Sequence, residues 1–292
     1  MKGIDEKRFM PPEERKSIVQ VAATLGMDQD VRSALARILA LAASRKVGVA
    51  GKFMPDEAVS ALLAERGIQE DLDEADFFKV RRVAIPYSGV SPRLRRDWEA
   101  ASVPLEDFTA PQVRKAQVAL GLLRIEGAQG LVIGRHDDLE SQALAGGGCS
   151  KIIEDTTDTA RLVFCPAFGA VCQSTLSPRR VSWLVQQLRF RYRDSRVRFL
   201  DTASPSMIQR EEALEKILIT CDRAVIVGKP GEASCEALVE TALRRGKTAV
   251  IVNGPDDLST EDFSGNARIA LTAGAFALDE TIRAVAEKLL AR

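Results

Sequence analysis

The stretch Leu200-Asp201-Thr202-Ala203-Ser204-Pro205-Ser206-Met207-Ile208-Gln209-Arg210-Glu211 decides how the chain is read, because an apolar strand (197–200) turns there directly into a helix. Ser204 is the natural N-cap and Pro205 the natural first helical residue, so backbone N–H groups and the positive end of the helix dipole face the turn. Such a turn can hold an anion or a reactive side chain. The same event recurs at Gly26-Met27-Asp28 and at Asp107-Phe108-Thr109-Ala110-Pro111, which predicts three similar lobes around one centre.

Outward from these turns, short apolar runs alternate with amphipathic helical patterns. Strands are predicted at 17–23, 46–49, 82–86, 103–108, 130–133, 169–173, 197–200, 224–227, 248–252 and 267–271. Helices are predicted at 31–44, 55–66, 92–101, 111–126, 178–192, 205–220, 231–244 and 278–290. This order implies parallel α/β units joined by right-handed crossovers, with ligands at the carboxyl ends of the strands. Residues 1–16, polar and carrying Pro11-Pro12, read as a leader.

The chain is 292 residues long and 46% apolar, enough for a large core, and its 41 basic residues equal its 41 acidic ones. No global field favours nucleic acid or an acidic membrane surface, so the expected partner is a small molecule; a homo-oligomer is left open. With no signal-like apolar region after the first residues and no apolar run of membrane-spanning length, the expectation is a soluble cytoplasmic protein. The five cysteines, Cys149, Cys165, Cys172, Cys221 and Cys235, are odd in number and form no CxxC pair, against a disulfide framework or a zinc knuckle. Cys172 and Cys221 border strands and read as small buried hydrophobes.

Several motifs then line up with a known family. Gln173-Ser174-Thr175-Leu176-Ser177 resembles the Gln-Thr-Thr-Leu-Ser of the LytB/IspH-type hydroxymethylbutenyl diphosphate reductases, and Thr272-Ala273-Gly274-Ala275 their Thr-Ala-Gly-Ala-Ser. Cys221-Asp222 and Leu238-Val239 also fit, Asp107, Thr109 and Pro111 match an Asp-Ala-Thr-Cys-Pro, and Ile133-Gly134 with Glu140 matches a stretch ending His-Pro-Glu. The resemblance spans nearly all of residues 17–291. It implies three pseudo-symmetric α/β lobes around a central cavity, here 17–108, 109–203 and 204–292, each giving one cysteine to an iron–sulfur cluster.

At the three ligand positions this chain has Asp28, Ala110 and Ser204, none of them a thiolate. The expectation is therefore no cluster, no other metal or cofactor, and no two-electron reductive dehydroxylation. By the same alignment the family's diphosphate-gripping histidines fall at Pro55, Ser88 and Asp138, its Ser-Ser-Asn at Glu232-Ala233-Ser234, and a late serine at Phe276. Asp138 and Glu232 would repel a diphosphate.

What survives is Glu140, at the family's proton-delivering glutamate, with the hydroxyls of Ser174 and Thr175. Glu140 and the lone histidine, His136, are the candidate catalytic residues; Arg135, Asp138, Ser88, Ser174, Thr175, Ser204 and Ser234 are the candidate substrate contacts. The plainer alternatives are a surface carboxylate, a surface histidine, and helix caps at Asp28 and Ser204. Gly146-Gly147-Gly148 lacks a Lys-Ser/Thr ending and reads as an inter-lobe connection, and the arginines from Arg189 to Arg198 as a solvated face. The favoured function is cluster-free, non-redox acid/base chemistry on a small metabolite, of the kind found in specialised metabolism. A non-catalytic interaction partner and an authentic cluster-bearing reductase are the alternatives.

Overall fold

A computed structural model describes residues 18–146, 148–259 and 267–291, so the leader and Gly147 lie outside the described residues. The chain forms two compact units, one of Met27–Ile208 and one that joins residues up to Gly26 to those from Gln209 onward. Among the described residues all strand pairs are parallel, and they make three sheets.

In the larger unit, β2 (Val47–Val49), β3 (Arg82–Ile85) and β4 (Leu105–Asp107) form one sheet in that order. It is served by α1 (Gln29–Ala42), α2 (Glu57–Glu65) and α3 (Pro92–Ala100). The second sheet has the order β6 (Lys151–Ile153), β5 (Gln129–Ile133), β7 (Ala167–Cys172) and β8 (Arg196–Phe199). Its helices are α4 (Pro111–Ile125), α5 (Leu139–Ala145), α6 (Thr156–Arg161) and α7 (Pro178–Arg191). The central strands β5 and β7 are buried along almost their whole length, which is why they read as continuous apolar runs. On the outer strand β8, Arg196 and Arg198 are exposed and Arg198 pairs with Glu126, so the arginine run there is a charged sheet edge.

The other unit holds β1 (Ile18–Val21), β11 (Arg268–Ala273), β9 (Arg223–Val227) and β10 (Thr248–Val252), in that order. Val225, Val227, Ile269, Leu271 and Ala273 pack on one face against Val285 and Leu289 of α10 (Asp279–Leu290). Helix α9 (Ala233–Arg244) lies against β9 and β10. Helix α8 (Pro205–Leu218) starts at Pro205, as its sequence predicts, and the unit boundary falls within it.

The first strand departs from expectation. Grouped by sequence with residues 17–108, it pairs instead with β11, Val19 beside Ile269. A parallel strand's partner is chosen by tertiary packing, here of Val19 and Leu25 on the α10 core, which periodicity does not encode. The glycine run is also no inter-lobe connection: Gly146, at φ +61°, is the left-handed cap of α5 and leads to β6 in the same sheet. Among the described residues no helix is long and apolar enough to cross a membrane.

Candidate active site

The β5-to-α5 turn is built by Asp138, whose Oδ1 accepts the N–H groups of Glu140 (2.9 Å) and Ser141 (3.1 Å) and so caps α5. That cap fixes Glu140 in the first helical turn, where its side chain is buried rather than solvated. Glu140 Oε1 accepts the backbone N–H of Ser174 at 2.7 Å, and Oε2 lies 2.7 Å from Ser174 Oγ. Gln173 braces the same junction. Its Oε1 accepts Arg135 N–H and Ser141 Oγ–H, each at 3.1 Å, while its Nε2 donates to Thr175 Oγ1 at 2.9 Å.

Gly134, at the end of β5, is why the fit is possible. A Cβ there would fall on Ser141 Oγ and lie 3.3 Å from Gln173 Cβ. Gly134→Ala is therefore expected to lower stability by about 1–3 kcal/mol, read as a shifted urea midpoint, because α5 must back away from β5. An unchanged midpoint would mean the junction is looser than its geometry.

Burial pushes the Glu140 carboxyl up to about 8, helped by the Asp138 carboxylate and opposed by the two Ser174 hydrogen bonds. That shift favours the protonated acid at neutral pH. A carboxylic acid held neutral at working pH can deliver a proton.

His136 is placed differently. Its exposed ring has Nε2 2.9 Å from Asp158 Oδ2, and its backbone N–H goes to Glu154. The ring thus meets Asp158, on α6, rather than Glu140. Arg135 forks onto Asp137 with both contacts at 3.0 Å, holding that carboxyl below its usual range. Ser88 sits half-buried in the turn after β3, next to Gly89, whose backbone (φ +75°) closes against Thr109.

The three turns marked by the resemblance have distinct fates. Asp28 caps α1, its Oδ1 accepting Val31 N–H at 3.0 Å, while its Oδ2 accepts Ser206 Oγ–H at 2.8 Å. Ser204 Oγ lies 2.7 Å from Ser206 Oγ, and Ser204 N–H donates to Ser174 C=O at 2.9 Å. Ala110 is buried, its N–H bonded to Tyr87 C=O, and α4 has no side-chain cap. A carboxylate, a methyl and a hydroxyl do not fit a cluster held by three thiolates. The thiols lie elsewhere: Cys172, Cys221 and Cys235 are buried, Cys149 is exposed, and burial pushes Cys172 up to about 11.

In the unit that carries β9, Glu232 caps α9 by accepting Ser234 N–H (3.0 Å), Cys235 N–H (3.1 Å) and the Ser234 hydroxyl. Ser234 Oγ also accepts Ala275 N–H at 2.8 Å. The hydroxyl and the helix N-terminus are thus already engaged by the chain's own carboxylate. Two residues that organise the larger unit's site, Ser206 and Gln173, were not singled out by sequence reading. The only local signals were their places in Ser-Pro-Ser and Gln-Ser-Thr-Leu-Ser.

Parallel sheets with polar turns at their carboxyl ends define an α/β protein. The LytB protein family model matches residues 19–290, and the chain belongs to that family. It is 28% identical over 253 residues to the 4-hydroxy-3-methylbut-2-enyl diphosphate reductase of Pseudomonas aeruginosa PAO1, covering 82% of this chain and 78% of that one. To the Pseudomonas putida enzyme of the same name it is 29% identical over 211 residues, 70% and 67% of the two chains. A solved Plasmodium falciparum E-1-hydroxy-2-methyl-but-2-enyl-4-diphosphate reductase has the same fold, with a TM-score of 0.86, 22% identity and coverage of 93% and 87%.

Proposed function

We propose that this family member works without an iron–sulfur cluster, as a non-redox enzyme applying acid/base chemistry to a small metabolite, with Glu140 as proton donor. The observation that carries this reading is the buried Glu140 carboxyl, tied at both oxygens to Ser174 and pushed up by that burial to about 8. An acid kept in that state needs no electrons to act. The reductase activity of the relatives is not carried over, because the three turns offer Asp28, Ala110 and Ser204 in place of thiols. In the larger unit, the carboxylate of Asp138 and the apolar Pro55 favour a ligand less charged than a diphosphate.

Two measurements test it together. Anaerobic reconstitution with iron and sulfide should leave the protein without stoichiometric iron and without cluster absorbance. A thermal-shift titration should show no saturable response to hydroxymethylbutenyl diphosphate or pyrophosphate, and one to an uncharged or carboxylate-bearing analogue; a ligand at 100 times its Kd stabilises by about 2.7 kcal/mol. A reconstituted cluster that reduces hydroxymethylbutenyl diphosphate would overturn the proposal.

A further inference from the structure

The hydroxyls at the start of α8 form a directed chain that the acid Glu140 does not use. Ser206 Oγ–H donates to Asp28 Oδ2 at 2.8 Å, which spends its proton. In the 2.7 Å contact between Ser206 Oγ and Ser204 Oγ, Ser204 is therefore the donor. The order is Ser204 O–H to Ser206 O–H to the Asp28 carboxylate, spanning 178 residues of sequence at its second step. Ser204 itself ends the connection that runs from β8 to α8, immediately before Pro205, the first residue of that helix. A nucleophilic hydroxyl needs an adjacent base that is oriented by a third group. Here Asp28 is oriented by Val31 N–H at 3.0 Å and Ser206 is the bridge.

One residue joins this chain to the acid. Ser174 binds Glu140 through its N–H and Oγ, and its carbonyl accepts Ser204 N–H at 2.9 Å. Both groups therefore hang on the same short loop after β7. We propose that Ser204 is a nucleophile for an acyl group carried as a small ester, activated through Ser206 by Asp28, which act as positioning residues. This rests on the cluster-free acid/base reading above.

The step balances within the chain. Ser204 Oγ forms a bond to the acyl carbon while its proton moves through Ser206 to Asp28. The bond to the leaving alkoxide breaks, and that oxygen takes the proton of Glu140. Water then attacks the acyl-Ser204, giving a proton back to Glu140, and the Ser204 oxygen leaves with the proton returned from Asp28.

The test uses the full chain and two sulfonyl fluorides of different size, methanesulfonyl and phenylmethanesulfonyl fluoride, read by intact mass and peptide mapping. The expected result is a single adduct on Ser204, formed by an S–O bond as fluoride leaves, and absent in Ser204→Ala. Asp28→Asn keeps the α1 cap, so its melting point should stay close to that of the native chain while its labelling slows about a hundredfold; Ser206→Ala should slow labelling similarly. No adduct with either reagent, an adduct on another residue, or equal rates in native and Asp28→Asn protein would each overturn the relay. Fluoride departs without a proton, so these outcomes do not depend on Glu140, and the iron and titration measurements judge the underlying reading separately.

Discussion

Glu140→Gln is expected to make the protein more stable than the native chain at pH 9 and to leave the two nearly equal at pH 5. In the folded chain burial holds the Glu140 carboxyl at about 8, against an ordinary value of 4.5. Between those values the folded state keeps a proton that the unfolded chain has released, so stability falls as pH rises through that window. Below it both states are protonated and the native chain has its full stability; above it the folded protein must bury a charge. A difference of 3.5 pH units corresponds to roughly 5 kcal/mol, an order-of-magnitude figure for a group with almost no solvent to screen it. Gln is the neutral isostere. Its carbonyl can accept Ser174 N–H and its amide can donate to Ser174 Oγ, the arrangement that the protonated acid makes. Urea unfolding at pH 5, 7 and 9 measures the effect. If native and variant proteins lose stability in parallel with pH, Glu140 is not the neutral buried acid on which the proposed chemistry depends.

The strand-and-helix alternation was legible because β5, β7 and β9 are buried on both faces and so write themselves as unbroken apolar runs. Pro at the first position of α3, α4, α7 and α8 marked those helix starts just as plainly. The region 138–161 was not legible. Its helices α5 and α6 have only 7 and 6 residues, and β6 has 3, one of them exposed, too short for any period to show. That gap hid the cap by Asp138 that turns Glu140 inward, and it hid α6, whose Asp158 takes the ring of His136. The partnership of Asp28 with Ser206 was hidden for another reason: it is a tertiary contact between two helix starts, and each residue is fully explained locally by its own turn. Glu140, by contrast, was found through its place in a motif, and the geometry adds what the motif lacks, namely burial and two short bonds to Ser174.

Arg210→Ala is expected to cost about 4 kcal/mol or more, and Arg210→Met about half of that. Among the described residues Arg210 is the largest of the fully buried side chains, on α8 with 2% of its surface exposed. Its Nη2 donates to the carbonyl of Gly26, in the turn that follows β1. That turn has little freedom to find another donor: Gly26 has φ +66°, its N–H bonds Ala273 C=O at 3.3 Å, and a Cβ would lie 2.7 Å from Ile282 Cδ1. Losing the guanidinium leaves a buried carbonyl unsatisfied, roughly 1–3 kcal/mol, and truncation to Ala adds a cavity, roughly 2–5 kcal/mol by analogy with large aliphatic side chains. Met keeps most of the volume and removes only the donor and the charge, so the two variants separate the terms. Urea midpoints give the energies, and amide exchange at residues 22–26 locates the damage, which should loosen the β1-to-α1 turn ahead of the β9 core. A native-like midpoint for Arg210→Met would show that Gly26 does not depend on this donor, and that the burial of Arg210 serves packing alone.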